Sequence, residues 1–303
     1  MEYEFKYIEA CDMCGSVSTT HKILGRRLNQ SQGRSPRNKT GISTTVCKCD
    51  NCGLIYSNPQ PIPLDLQEQY GVPPEDYWKD VNYEVNETGV SDHMKVLETL
   101  MELKPGMKSL DIGAGLGQRM IAMERLGFDA HGLEPSEPFY ERAISKVGVD
   151  PNKLSLSSLE EAEYPTNTFD FISFGAVLEH LHSPSMAIKK SMAWLKPNGI
   201  VQIEVPQSEW LIAKLINSYY RMTFSDYVTN LSPMHTPFHH FEFSLDSFKE
   251  NGKRNAYSIA YHQYFVCKTF LPKVFDGPLK RYMRKTDTGM EIEVWLRKSG
   301  LHN

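Results

Sequence analysis

The sequence predicts an α/β fold with a parallel sheet covered by helices on both faces, and three observations predict it. Strand-like and helix-like patterns alternate from about residue 90 to 205. The strand-like segments are short and apolar and break at glycine or at an acidic residue. Hydrophobic residues make up 40% of the chain and charged residues 23%, an ordinary globular balance that supplies a core. Strands that alternate with helices bury a parallel sheet between two helical layers.

Taken in order, Val90, Met94, Leu97, Leu100 and Met101 recur at helical spacing. KSLDIG is a short buried strand ending at glycine, and QRMIAMERLG is a helix stopped at Gly127. DAHGLE is the second strand and EPFYERAISKVG the next helix. KLSL is a weak third strand, FDFISF a stronger fourth, and GIVQIEV a fifth. Between the last two, residues 183–199 are expected as a helix ending near Pro197 and Gly199. YSIAYHQYFV and EIEVWLRK add an expected pair of edge strands.

The chain has 303 residues and a formal net charge of −4. That length suits one large domain and a small one. The expected division is a zinc-ribbon-like module with a basic insertion over 1–62, a linker or lid over 63–88, and the main domain over 89–303, with its substrate cover at about 206–256. No apolar run approaches the roughly 18 residues of a membrane span. The N-terminus has neither a basic start nor an apolar core. A cytoplasmic protein without membrane insertion is therefore expected. The weak net acidity argues against a general nucleic-acid coat.

The first chemical motif is Asp111-Ile-Gly113-Ala114-Gly115-Leu-Gly117, a strand end, a glycine turn and a helix start. Glycine lets the backbone approach a ligand closely and take positive φ. Alone, such a turn also serves plain strand–helix connections. The second motif is Glu134-Pro135, about twenty residues on. A carboxylate at the end of the second strand can accept both ribose hydroxyls of an adenosine.

LDIGAGLG, GLEPS, FDFISFGAVLEHLHSP and LKPNGIVQIEVP, in this order, resemble a class I S-adenosylmethionine-dependent methyltransferase. The resemblance covers about half of the chain. It implies a Rossmann-like seven-stranded sheet with S-adenosylmethionine lying across the strand ends. It further implies that Asp111, Gly113, Ala114 and Gly115 surround the methionine part and that Glu134, next to Pro135, holds the ribose. Ser157, Ser158 and Leu159 would border the adenine, and Phe174 and Gly175 the sulfonium. A dinucleotide fold fits less well, because Gly117 comes one residue too early for that fingerprint.

Cys11-x-x-Cys14 and Cys49-x-x-Cys52 offer four thiolates, each pair followed by glycine. This set suits a structural Zn²⁺ with no open position. Cys47 is a spare candidate. The insertion between the pairs has no acidic residue but carries Lys22, Arg26, Arg27, Arg34, Arg37, Lys39 and Lys48. It reads as a solvated loop, or as a clamp for a phosphate-bearing substrate.

The loop after the fifth strand clusters His235, His239, His240 and Glu242. Histidine can take a proton near neutral pH. His239 or His240 is the favoured base, with Glu242 orienting its ring. His180 is next in line, and His182 is a further candidate. Tyr77, Trp78 and Tyr83 are expected as a lid over the cofactor, or as a patch joining two domains.

A zinc module joined to a methyltransferase domain is similar to sugar methyltransferases of deoxysugar and surface-polysaccharide pathways. Those that methylate carbon in nucleotide-linked keto-sugars carry a further C-terminal domain, so methylation of a sugar, sugar-phosphate or nucleotide-sugar hydroxyl is the leading expectation. RNA base methylation, carbon methylation of a keto-sugar and a non-catalytic cofactor-binding scaffold are the alternatives.

Overall fold

The computed structural model describes residues 2–28, 42–78, 80–85, 87–231, 237–266 and 273–299. The chain opens with β1 (Tyr3–Lys6), β2 (Lys22–Leu28), β3 (Ser43–Lys48), β4 (Ile55–Asn58) and β5 (Gln60–Pro63). β2, β3 and β4 form an antiparallel meander in which Cys47 faces Ile23 on one side and Tyr56 on the other. β5 pairs antiparallel with β1. Pro61 and Pro63 thus sit in a two-stranded sheet, where a missing N–H is tolerated at an edge.

The stretch expected as a linker holds two short helices, α1 (Leu66–Tyr70) and α2 (Pro74–Tyr77). The Asp65 carboxylate caps α1 by accepting the Gln67 N–H, and α2 starts on a proline, which lacks an N–H to orphan. Next comes α3 (Glu87–Leu100), which buries Val90, Met94 and Leu97 at the predicted spacing.

The alternating core runs β6 (Lys108–Ile112), α4 (Gln118–Arg125), β7 (Asp129–Glu134), α5 (Glu137–Arg142), β8 (Leu154–Leu156), β9 (Phe169–Gly175), α6 (Pro184–Trp194) and β10 (Leu195–Pro206). The helix expected over 183–199 is shorter than predicted. It stops at Trp194, and Leu195 already pairs with Phe169. Pro197 explains the stop, because it has no N–H to donate and disfavours helical backbone at Lys196. The chain continues through α7 (Leu211–Met222), β11 (Phe241–Glu242), α8 (Leu245–Asn255), β12 (Tyr257–Phe265), α9 (Lys273–Thr286) and β13 (Glu291–Lys298).

Seven strands form the central sheet in the order β12–β13–β10–β9–β6–β7–β8. β10, β9, β6, β7 and β8 are parallel, while β13 runs antiparallel to β10 and β12 antiparallel to β13. The expected parallel sheet is therefore mixed, with the reversal confined to the last two strands. Strand order turns back between β6 and β9, which opens a crevice at their C-terminal ends.

One face of the sheet packs Phe171 and Trp295 with Met94 and Leu97 of α3 and Met120 and Met123 of α4. The other packs Ile172, Phe174 and Ile203 with Ile188 and Met192 of α6. That second core continues without a break into Cys11, Leu54, Tyr56 and Phe241. β11, from the expected substrate cover, pairs Phe241 with Tyr56 and extends the N-terminal meander to four strands.

Candidate active site

A cleft of about 930 Å³ opens at the strand reversal. Asp111, Gly113, Ala114, Gly115, Glu134, Pro135, Ser157, Ser158, Leu159 and Gly175 line it. Phe174, expected beside them, does not. Its side chain is fully buried on the α6 face, because neighbouring strand residues point to opposite sides. The turn after β6 keeps Gly113, Gly115 and Gly117 at φ +70°, +57° and +71°. A Cβ on Gly113 would come within 2.5 Å of Val177 Cγ2, so the position is closed to other residues.

Glu134 is held by the turn it faces. Its Oε2 accepts the Gly115 N–H at 2.6 Å and its Oε1 the Ser136 N–H at 2.8 Å. Burial pushes its carboxyl up to about 7 against the pull of these bonds. Asp111, at the end of β6, is buried too and accepts the Ser173 hydroxyl at 2.6 Å.

An aromatic wall closes one side. Tyr77 and Trp78 meet Phe139 edge-on at 5.9 and 5.2 Å. Tyr70, Tyr77, Trp78 and Phe139 all line the cleft. Gln67 of α1 donates to the Pro135 carbonyl and accepts the Glu137 N–H, which pins this wall beside Glu134. Tyr83 is not part of it, since its hydroxyl donates to Glu75 away from the cleft.

The far end of the cleft carries His180, His182 and His239. Glu179 lies between two of them, with its Oε1 3.8 Å from His239 Nε2 and 4.0 Å from His180 Nε2. The two rings meet edge-on at 4.7 Å, and His180 Nδ1–H donates to the Phe238 carbonyl. Burial raises the Glu179 carboxyl to about 8, while it lowers His182 to about 4.

Two expected catalytic residues are elsewhere. His240 is buried outside the cleft, its N–H donating to the Glu179 carbonyl. Burial and the nearby His182 and His180 hold its pKa well below the usual histidine value. Glu242 orients no imidazole. As part of β11 its carboxylate accepts Asn230 Nδ2 at 2.6 Å and the Leu231 N–H at 2.5 Å. The alternation of β11 sends Phe241 and Glu242 to opposite faces and away from the loop histidines. The partner predicted at 242 is Glu179 instead. His235 lies outside the described residues.

Arg119 also lines the cleft and was not singled out from sequence. A signal for it existed. Helical side chains lean toward the N-terminus, so an arginine in the first turn after a glycine loop reaches back over that loop.

A family model described as a methyltransferase domain matches residues 77–257. The chain belongs to the class I S-adenosylmethionine-dependent methyltransferases. Ubiquinone biosynthesis O-methyltransferase of Bradyrhizobium diazoefficiens is 30% identical over 109 residues, 35% of this chain and 42% of that protein. Its mitochondrial counterpart in Schizosaccharomyces pombe is 32% identical over 142 residues, 45% and 49% of the two chains. Phosphoethanolamine N-methyltransferase 3 of Arabidopsis thaliana is 30% identical over 119 residues, 38% and 24%. The chain thus spans about a quarter to a half of the length of these relatives.

Two solved structures share the fold. One is Burkholderia thailandensis 1,6-didemethyltoxoflavin-N1-methyltransferase with bound 1,6-didemethyltoxoflavin and S-adenosylhomocysteine. It has a TM-score of 0.51 and 16% identity, covering 88% of this chain and 98% of that one. The other is Haemonchus contortus phosphoethanolamine N-methyltransferase 2 with phosphomonomethylethanolamine and S-adenosylhomocysteine. It has a TM-score of 0.53 and 15% identity, covering 81% and 63%.

The chain carries a second cluster, in its N-terminal part. The sulfurs of Cys11, Cys14, Cys49 and Cys52 all lie within 4.8 Å of one another. Cys11 is 3.6 Å from Cys52 and Cys14 3.5 Å from Cys49. Those edges suit a Zn²⁺ tetrahedron, whose sulfurs stand about 3.8 Å apart at ordinary Zn–S lengths. Cys47 is not in the cluster. Ser16 Oγ lies 3.1 Å from both the Cys14 and Cys49 sulfurs and 2.9 Å from His21 Nε2. His21 Nδ1 lies in turn 2.6 Å from the Tyr56 hydroxyl.

The basic insertion is largely spoken for where it is described. Arg26 pairs with Asp226, Lys48 with Glu209, and Arg27 is buried. Arg34, Arg37 and Lys39 lie outside the described residues. Among the described residues, no helix is long and apolar enough to cross a membrane.

Proposed function

We propose that this chain moves a methyl group from S-adenosylmethionine to a hydroxyl of a small polar molecule, namely a sugar, sugar phosphate or nucleotide sugar. The observation that carries the reading is the continuity of one cleft, from Glu134 and the glycine turn to His180 and His239, with the buried Glu179 beside them. Each Glu134 oxygen accepts one backbone N–H and keeps lone-pair capacity for a ribose hydroxyl. Asp111 and the glycine turn take the methionine part, and Ser157, Ser158 and Leu159 border the adenine.

When bound, the cofactor supplies an electrophilic methyl on a sulfonium leaving group. The chain's own work is to align the acceptor oxygen and remove its proton. His239 takes that proton, with the His180 ring edge-on beside it. Glu179 stabilises the imidazolium that forms, the more so as it ionises. Tyr70, Tyr77 and Trp78 keep water from the reacting end.

Histidines at the acceptor end suit a molecule with several hydroxyls. A small acceptor is also favoured over RNA because Arg26 and Lys48 are already paired and Arg27 is buried. We further propose that Cys11, Cys14, Cys49 and Cys52 hold a structural Zn²⁺.

The test is incubation with methyl-labelled cofactor and a panel of nucleotide sugars, sugar phosphates, phenols and RNA. Label is expected on a hydroxyl of a sugar compound, identified by product mass. Label in RNA, or in none of the hydroxyl compounds, overturns the reading.

A further inference from the structure

α7 is apolar on two sides, whereas a helix that packs on a globular core needs only one apolar side. Its inner side buries Ile212 and Ala213. Its outer side carries Leu215, Tyr219 and Met222, four and three residues apart and so aligned in one stripe. All three are more than half exposed. Phe224, just past the helix, is 99% exposed and sits at φ +59°, a left-handed conformation disfavoured for an aromatic residue. A single exposed apolar side chain needs no explanation, but a stripe that ends on a strained and fully exposed ring does.

α9 presents a similar surface. Val274, Phe275 and Tyr282 are exposed along it, while Met283 is buried. The two helices are tied together. The Leu211 N–H, at the start of α7, donates to the Thr288 carbonyl just past α9, and Gln207 Nε2 donates to the Asp287 carbonyl at 2.7 Å. Both are anchored at the same end of the sheet, because α7 follows Pro206, the last residue of β10, and α9 precedes Glu291, its register partner on β13. β6 and β9 run parallel to β10, so this is also the end at which the cleft opens.

Charge decides what meets this surface. α7 and α9 together hold seven basic residues and one acidic residue, in a chain whose formal net charge is −4. Lys214 pairs with Glu209 and Lys280 with Asp276. Arg221, Arg281, Arg284 and Lys285 are exposed and have no ion-pair partner among the described residues. A second copy of the chain on this face would bring like charges together. A nucleic acid would use the cations but leave Leu215, Met222 and Phe224 in water. An anionic lipid bilayer satisfies both features, since its headgroup phosphates take the cations and its acyl boundary takes the apolar side chains. α7 has 12 residues, too few for the roughly 20 of a membrane span, so it lies on such a surface rather than across it.

We propose that α7 and α9 form a docking surface for a bilayer of anionic phospholipid. Leu215, Tyr219, Met222 and Phe224 enter the interface, and Arg221, Arg281, Arg284 and Lys285 meet the headgroups. Docked in this way, the chain holds the cleft end of its sheet against the membrane.

The experiment is flotation of the full chain with two kinds of vesicle, phosphatidylcholine alone and phosphatidylcholine mixed with phosphatidylglycerol. The chain should float with the mixed vesicles only, and rising salt should weaken the association. Arg281→Gln, Arg284→Gln and Lys285→Gln together should weaken it by about a hundredfold, roughly fivefold for each charge. Leu215→Ser with Phe224→Ser should weaken it by about tenfold or more. None of these residues lines the cleft. Both variants should therefore keep the S-adenosylhomocysteine affinity and the melting temperature of the unaltered protein, which reports that they fold. Failure to float with the mixed vesicles, or association that neither variant weakens, overturns the proposal. So does sedimentation as a dimer that the Leu215 and Phe224 substitutions return to monomers, or binding of RNA in preference to the mixed vesicles.

Discussion

Asp12, inside the first cysteine pair, caps a helix it does not belong to: its carboxylate accepts the Ser185 N–H of α6 at 2.6 Å. It also accepts the Ser183 hydroxyl at 2.9 Å, and Ser183 makes no cap of its own. A helix start leaves N–H groups without partners, so a cap from another element ties the two together. His180, His182 and Ser183, just ahead of α6, line the acceptor end of the cleft. Asp12→Ala should cost about 1–2 kcal/mol of stability in urea unfolding. It should lower turnover while S-adenosylhomocysteine affinity holds. Equal loss of both would separate Asp12 from the acceptor end.

Purified protein should contain one tightly held zinc per chain by metal analysis. A strong chelator should lower the melting temperature and loosen the α6 cap before it touches cofactor affinity. Cys49→Ser should abolish zinc retention, while Cys47→Ser should not, since Cys47 stands outside the cluster.

Glu134→Ala should weaken S-adenosylhomocysteine by on the order of 2–3 kcal/mol, the scale of a lost pair of charge-assisted hydrogen bonds. Calorimetry reads this directly. Unchanged affinity removes Glu134 from the ribose.

Among the histidines, His239→Ala should cut turnover by about a hundredfold or more while cofactor affinity stays near that of the unaltered protein. His180→Ala should have a smaller effect of the same kind. His240→Ala should act through stability instead, because the side chain is buried outside the cleft. Turnover within a few-fold for both cleft histidines would leave proximity alone to drive the reaction.

The pH behaviour follows from the buried groups. Glu134 and Glu179 titrate in the fold near 7 and 8, above an ordinary glutamate. The folded chain therefore binds more protons than the unfolded one up to those values, and stability falls as pH rises through them. His182, near 4, and His240, held well below the usual histidine value, act oppositely, adding stability as pH rises up to about 6.5. Above pH 6.5 only the losses remain, at up to about 1.4 kcal/mol per pH unit for each group. The melting temperature should decline from pH 6.5 to 8, and Glu179→Gln should flatten the decline. Turnover should rise over the same interval as Glu179 ionises, and the variant should lose that rise.

The central sheet was legible because its strands are short apolar runs punctuated by Gly113, Gly127, Glu134 and Gly199, which periodicity and turn chemistry expose directly. The glycine turn and the cysteine pairs were legible because their function needs fixed local spacing. Glu179 carries no such local signal, because its place beside His239 depends on bringing the end of β9 and a loop 60 residues later together. Glu242 misled for the converse reason. Next to His239 and His240 in sequence, it is carried away by a two-residue strand whose partner, β4, lies nearly 190 residues earlier. Arg119 is local, and only the direction of helical side chains would have revealed it.

That short strand also sets an order of events during synthesis. The N-terminal meander emerges from the ribosome before the central sheet, yet its edge at β4 is closed by His240, Phe241 and Glu242. Until those residues are made, β4 presents an open edge, a template for pairing with the wrong chain. A fragment ending before residue 240 leaves that edge bare. The protein is thus vulnerable to truncation well past the end of its central parallel strands, because what comes late in the chain finishes what came first.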